Sequence, residues 1–127
     1  MEPEENRRGW ATRSGEYSPE YYAVIGPNEV SETLGSVLEY YMPEDATILE
    51  IGCSSGRHLA HLLEMGFSNL SGIDINDESF EVMAERYPDL AETGAFQTGA
   101  IEEIVPRYPD GAFDVVYSVE TLQHIHP

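Results

Sequence analysis

Lysine is absent from all 127 residues: the six basic side chains are all arginine, against 24 acidic ones, for a net charge of -18. A field of this sign repels phosphate backbones and anionic lipid, which argues against nonspecific binding to nucleic acid or a membrane surface and favours cationic small molecules. Abundant glutamate without lysine is also the solubility pattern of proteins from halophilic archaea, so a halophile is the expected source, and charge speaks of habitat before it speaks of partner. A single cysteine, Cys53, excludes an internal disulfide. No stretch approaches the roughly 18 apolar residues of a membrane span. The start, Met1 to Asn6, lacks the positive charge and apolar run of a secretory signal, so a cytoplasmic location is expected. What is present is 41% apolar residues, enough for one domain that removes roughly two-thirds of its unfolded surface from water.

Residues 1–26 carry Pro3, Gly9, Gly15, Pro19 and Gly26 along with Trp10, Tyr17, Tyr21 and Tyr22, and read as an irregular arm with aromatic anchors, ahead of one domain over 27–127. From Asn28 to Met42, Val30, Leu34, Val37, Leu38 and Tyr41 fall at helical spacing, with Asn28 as cap and Pro43 just past the end. TILEIG (47–52) is a short apolar run entering a glycine, the pattern of a buried strand. SSGRHLAHLLEMG follows as a helix that stops at Gly66. Residues 70–75 (LSGIDI) read as a second strand, and Asn76 or Asp77 caps a helix with Phe80, Met83, Ala84 and Tyr87 on one face before Pro88. Residues 95–98 form a weaker strand, 100–107 a short helix, and 113–119 (FDVVYSV) a fourth strand. Strands alternating with helices predict an α/β fold with a parallel sheet and right-handed crossovers.

Gly52 and Gly56 sit in the turn between first strand and first crossover helix, where small residues let the backbone approach a ligand and the helix start presents unpaired N–H groups. Three ligand classes use such a turn. A P-loop needs Gly-Lys-Ser/Thr, and there is no lysine. The dinucleotide fingerprint Gly-x-Gly-x-x-Gly meets Ser54 and Arg57 at its second and third glycine positions, and its pyrophosphate would face Glu50.

The third class matches further. ILEIGCSSG, then an acidic residue closing strand two in GIDIN, then FQTGAIEEI and FDVVYSVETLQHI in that order, resemble the successive motifs of class I S-adenosylmethionine-dependent methyltransferases over roughly residues 30–127. The resemblance implies a Rossmann-like sheet of strand order 3-2-1-4, the cofactor S-adenosyl-L-methionine and a set of binding residues. Gly52, Cys53, Ser54 and Gly56 would border the methionine part and ribose, with Glu50 holding the loop and the amino-acid end. Asp74 would accept from both ribose hydroxyls. Ile75 would cover one adenine face, Ala100 and Ile101 the other, and the chain at Ser118 and Val119 would offer a carbonyl to the ammonium. Two positions depart from the family: Ser54 stands where glycine is common, and Ala100 where an acidic residue is common.

Glu120 and His124 follow the fourth strand, where the carboxyl edge of such a sheet meets its ligand, and either could deprotonate an acceptor; the alternative for His124 is packing or capping. Cys53 reads as a small packed residue, and His58, His61, His124 and His126 lack companions at zinc-ligand spacing, so no metal is expected. The fourth strand lacks the Asn/Asp-Pro-Pro-Tyr/Phe signature of many enzymes methylating exocyclic or amide nitrogens, which points to a small-molecule acceptor. The family continues through further strands, so the sequence is expected to be a truncated, cofactor-binding part whose fourth strand forms an open edge able to pair with a second copy. The alternative function is a noncatalytic adenosyl-ligand-binding fragment or pseudoenzyme acting through a protein partner.

The charge supplies a first prediction. Self-repulsion of -18 charges weakens as the Debye length shrinks from about 10 Å at 0.1 M salt to about 3 Å at 1 M. The melting temperature should therefore rise across a KCl series, and one that stays flat or falls would show that the acidity is not an adaptation to salt.

Overall fold

The computed structural model of the chain describes residues 18–119. Helix α1 (Pro19–Ile25) and helix α2 (Glu29–Tyr41) precede strand β1 (Thr47–Ile51). Then follow α3 (Arg57–Glu64), β2 (Asn69–Asp74), α4 (Glu78–Arg86), α5 (Pro88–Thr93), β3 (Ala95–Thr98), α6 (Ile101–Ile104) with a 3-10 turn at Val105–Arg107, and β4 (Val115–Ser118). The four strands form one parallel sheet, as the alternation of strands and helices predicts, in the Rossmann-like order β3-β2-β1-β4 that the resemblance implies.

The irregular arm is corrected where it falls within the described residues, because 19–25 is helical. Ser18 is the cause: its hydroxyl accepts the N–H of Tyr21 at 3.1 Å, and Pro19 takes the first helical position, where its missing N–H costs nothing. Helix α5 was likewise not expected. Pro88, which reads as the stop of α4, is also the first residue of the next helix. The predicted helix over 100–107 is split at Pro106, which cannot donate the hydrogen bond that would continue it.

Alternation along β1 sends Ile48 and Glu50 to one face of the sheet and Leu49 and Ile51 to the other. The first face carries the larger core, with Leu38, Leu59, Leu62, Phe67, Leu70, Met83 and Leu90 all buried. The opposite face is thinner: Leu49, Ile51, Ile73 and Ile104, with Ile101, Tyr108 and Phe113 packed against them. Where β1 begins, Asp114 clasps Thr47. Its carboxylate accepts the Thr47 N–H at 2.9 Å and hydroxyl at 3.2 Å, while its own N–H reaches the Thr47 carbonyl at 2.9 Å. This clasp sets the register of β1 against β4, with Ile48 beside Val115 and Glu50 beside Tyr117.

Asn28 caps α2 as predicted, accepting from the N–H groups of Val30 and Ser31, while Ser31 Oγ accepts the Asn28 N–H in return. Ser31 is completely buried, and its Oγ lies 2.6 Å from Nδ1 of buried His58 on α3. Which of the two donates follows the tautomer of the imidazole. His58 is pushed down to about 4, chiefly by burial and then by the charges of Arg57 and His61. Ser31→Ala should leave the buried Nδ1 without its hydrogen-bond partner and cost about 1–3 kcal/mol. Denaturant unfolding checks it, and a loss below about 0.5 kcal/mol would mean that water replaces the hydroxyl.

Candidate functional site

The chain leaves β1 in a tight coil in which residues 52, 54 and 56 all take left-handed backbone, with φ of 73°, 51° and 90°. Glycine suits two of these positions; Ser54 holds the third without that freedom. At Gly56 space as well as φ is decisive, since a Cβ would lie 2.7 Å from Leu90 Cδ2 and 2.8 Å from Met83 Cε. The coil is secured to the end of β2. The Ile73 carbonyl accepts the N–H groups of Gly52 and Cys53 at 2.8 and 3.1 Å, and Asp74 Oδ2 accepts that of Ser54 at 2.8 Å. Oδ1 of Asp74 takes the Asn76 N–H at 2.9 Å and the Ser79 hydroxyl at 3.2 Å. Gly99 N–H in turn reaches the Asp74 carbonyl at 2.9 Å, which fixes the segment leading to Ala100 and Ile101 beside the end of β2.

Ser118 pairs with Ile51 across β1 and β4. The structure therefore gathers Glu50, the loop 52–56, Asp74 and Ile75, Ala100 and Ile101, and Ser118 and Val119 at the carboxyl ends of four adjacent strands. Glu120 and His124 lie outside the described residues. Cys53 is buried against Gly72, where a Cβ would come within 2.6 Å of Sγ, and burial with the nearby Asp74 and Glu50 pushes the thiol well above its usual range. It is packed, as predicted, and not poised as a nucleophile.

Glu50 is only 2% exposed. Its Oε1 accepts the hydroxyl of Tyr117 at 2.9 Å, yet burial dominates and pushes the carboxyl up to about 8, with Asp74 raising it and Tyr117 and Arg57 opposing. Asp74 is raised as well, by burial, against the bonds from Asn76, Ser54 and Ser79. Two carboxyls that resist ionisation at one end of a sheet form a site that a cation relieves.

Of the two caps offered for α4, Asn76 accepts the Glu78 N–H at 3.0 Å and Asp77 makes no side-chain cap bond; sequence reading missed Tyr117, Ser79, and Ser55, whose buried hydroxyl donates to the Pro19 carbonyl at 2.9 Å. For Tyr117 a signal existed: strand order 3-2-1-4 makes β1 and β4 neighbours, so a polar residue near the end of each is a candidate pair.

A family profile described as "Methyltransferase domain" matches residues 49–127. The O-antigen chain terminator bifunctional methyltransferase/kinase of Escherichia coli is 32% identical over 81 residues, 61% of this chain and 11% of that protein. A tRNA U34 carboxymethyltransferase of Helicobacter pylori is 27% identical over 113 residues, 78% of this chain and 42% of the relative. An O-methyltransferase of Pyrenophora dematioidea is 25% identical over 79 residues, 62% of this chain and 30% of the relative. Among solved structures, an S-adenosylmethionine-dependent methyltransferase from Thiobacillus denitrificans, in complex with S-adenosyl-L-homocysteine, superposes with a TM-score of 0.63 at 22% identity, over 100% of this chain and 47% of that one. The chain spans less than half the length of each of these proteins.

The two perturbed groups predict a pH profile for the ligand-free chain. Unfolded Glu50 releases its proton near 4.5 and folded Glu50 near 8, so its contribution to stability is complete below the first value and is lost as pH rises through the second. His58 runs the other way. Its contribution is complete above 6.5 and is lost as pH falls through about 4. Between 4.5 and 6.5 the two slopes oppose each other; above that the His58 slope ends, and Glu50 should lower stability by about 1.4 kcal/mol per pH unit towards pH 8. Denaturant melts at fixed molar KCl check this, and Glu50→Gln should remove the decline.

Proposed function

Since the chain belongs to the methyltransferase domain family, matched over residues 49–127, with S-adenosyl-L-methionine as its methyl donor, we propose that it is the donor-binding part of an enzyme that methylates a small-molecule acceptor. The observation that carries this reading is Asp74. Its carboxylate holds the glycine loop by the Ser54 N–H and keeps a lone pair on Oδ2 at the carboxyl edge of the sheet.

When bound, the donor supplies an electrophilic methyl group on a sulfonium. The residues of this chain position it and keep water out. Gly52, Cys53, Ser54 and Gly56 border the methionine part and the ribose, and Asp74 accepts from the ribose hydroxyls. Ile75 covers one face of the adenine, and Ala100 and Ile101 line the other. Glu50, with the backbone at Ser118 and Val119, answers the ammonium. Glu120 and His124 are the candidates to take a proton from the acceptor.

For the acceptor, the O-methyltransferase relative supports a small molecule. A tRNA substrate, as in the Helicobacter relative, meets the charge of -18, which opposes a polyanion. The composition supports the cytoplasm of a halophile, and among the described residues no helix is long and apolar enough to cross a membrane. The outer edge of β4, where Val116 is 54% exposed, is the surface assigned to pairing with a second copy, and 27–127 is the assigned extent of the domain.

Calorimetric titration with S-adenosyl-L-homocysteine tests the donor site, and transfer of labelled methyl to candidate acceptors tests the activity. Asp74→Ala should weaken binding by about 1.5–3 kcal/mol, the range for hydrogen bonds to a charged group. Unchanged affinity in a variant that still melts cooperatively would overturn the assignment.

A further inference from the structure

In strand order β3-β2-β1-β4, the chain departs to one side after β1 and returns on the other before β4, so the carboxyl ends of β1 and β4 flank the switch point where ligands enter such sheets. Glu50 and Tyr117 are cross-strand partners there. The phenol hydroxyl, 2.9 Å from Oε1, fixes the carboxyl, and both side chains lie on the face of the sheet that carries the larger core. The arrangement is costly: it removes a carboxyl and a phenol from water in one place, and with an apolar residue at either position the strands would pair equally well. None of the hydrogen bonds that shape the glycine loop passes through this pair, so holding the loop does not account for it.

We propose that Tyr117 is a positioning residue for the donor: its hydroxyl holds the Glu50 carboxyl in the one orientation from which it answers the ammonium of the methionine part, so that the pair recognises the amino-acid end of the ligand and not its adenosyl end. The inference rests on the donor-site reading above and deepens it. The groups facing Glu50 are Tyr117 from β4, Asp74 from β2, Arg57 from α3 and Cys53 from the loop. Arg57 is the single cation among them. An arriving ammonium therefore favours the ionised carboxyl, and binding expels the proton that the buried acid otherwise keeps up to about 8. Tyr117 eases that ionisation, because its O–H stabilises the charged form more than the neutral one.

Two ligands separate the ends of the donor. S-Adenosyl-L-homocysteine carries the amino-acid part and 5′-methylthioadenosine lacks it. Calorimetry on the full chain between about pH 6 and about pH 8 should show affinity for the first rising with pH and affinity for the second flat. Tyr117→Phe should weaken the first about tenfold near neutrality and shift its rise to higher pH, while leaving the second within about twofold. Equal losses for both ligands would make Tyr117 merely structural, and no loss for either would make it irrelevant; both results overturn the inference while leaving the donor site intact. Should Tyr117→Phe fail to fold, Glu50→Gln decides: it should bind S-adenosyl-L-homocysteine with a flat pH profile, and a profile that still rises overturns the inference. A native chain that binds neither ligand refutes the donor-site reading, and this inference with it.

Discussion

Left-handed backbone at three alternate positions, 52, 54 and 56, coils the chain tightly at the end of β1. Such a coil does not hold itself, because it has few internal hydrogen bonds and one of its members is a serine. It persists because the end of β2 accepts three of its N–H groups, two on the Ile73 carbonyl and one on the Asp74 carboxylate. The Asp74 side chain is in turn fixed by Asn76 and Ser79. Loop, second strand and the start of α4 thus form one hydrogen-bonded unit, and the shape of the loop depends on a single carboxylate.

Charge is distributed by environment as well as by number. Among the described residues most acidic side chains lie on the surface, where water and salt screen them. Glu50 is buried and Asp74 half-buried, and burial pushes each carboxyl above its ordinary range. A positive charge brought beside them favours their ionised forms.

The four strands were legible in the sequence because they rest on local signals, apolar runs bounded by glycines and turns, whereas their order was implied only by the resemblance to a known family. The two missed helices share one cause. Pro19 read as part of an irregular arm and Pro88 as a stop, whereas each is the first residue of a helix, and only the neighbouring Ser18 hydroxyl marks the first of them as a start. Tyr117 was legible only in part: the implied strand order makes β1 and β4 neighbours, but its meeting with Glu50 depends on the register between strands 67 positions apart, and a period-2 pattern says which face a residue occupies without saying which partner it meets. Ser31 and His58 pose the same difficulty, each unremarkable alone and joined only by the packing of α2 on α3.

The clasp between Thr47 and Asp114 also bears on how the chain comes into being. β1 is the central strand, yet it is synthesised before both of its neighbours. At ribosomal rates of about 5–20 residues per second, β2 follows within a few seconds, but the residues that close the other side emerge only after several more, 67 positions downstream. For that interval TILEI presents an apolar, half-paired edge, the kind of surface on which nascent chains stick to one another. Closing so long a loop also costs chain entropy before any contact rewards it. The surplus of negative charge, spread along the emerging polypeptide, keeps neighbouring nascent chains apart until Asp114 arrives.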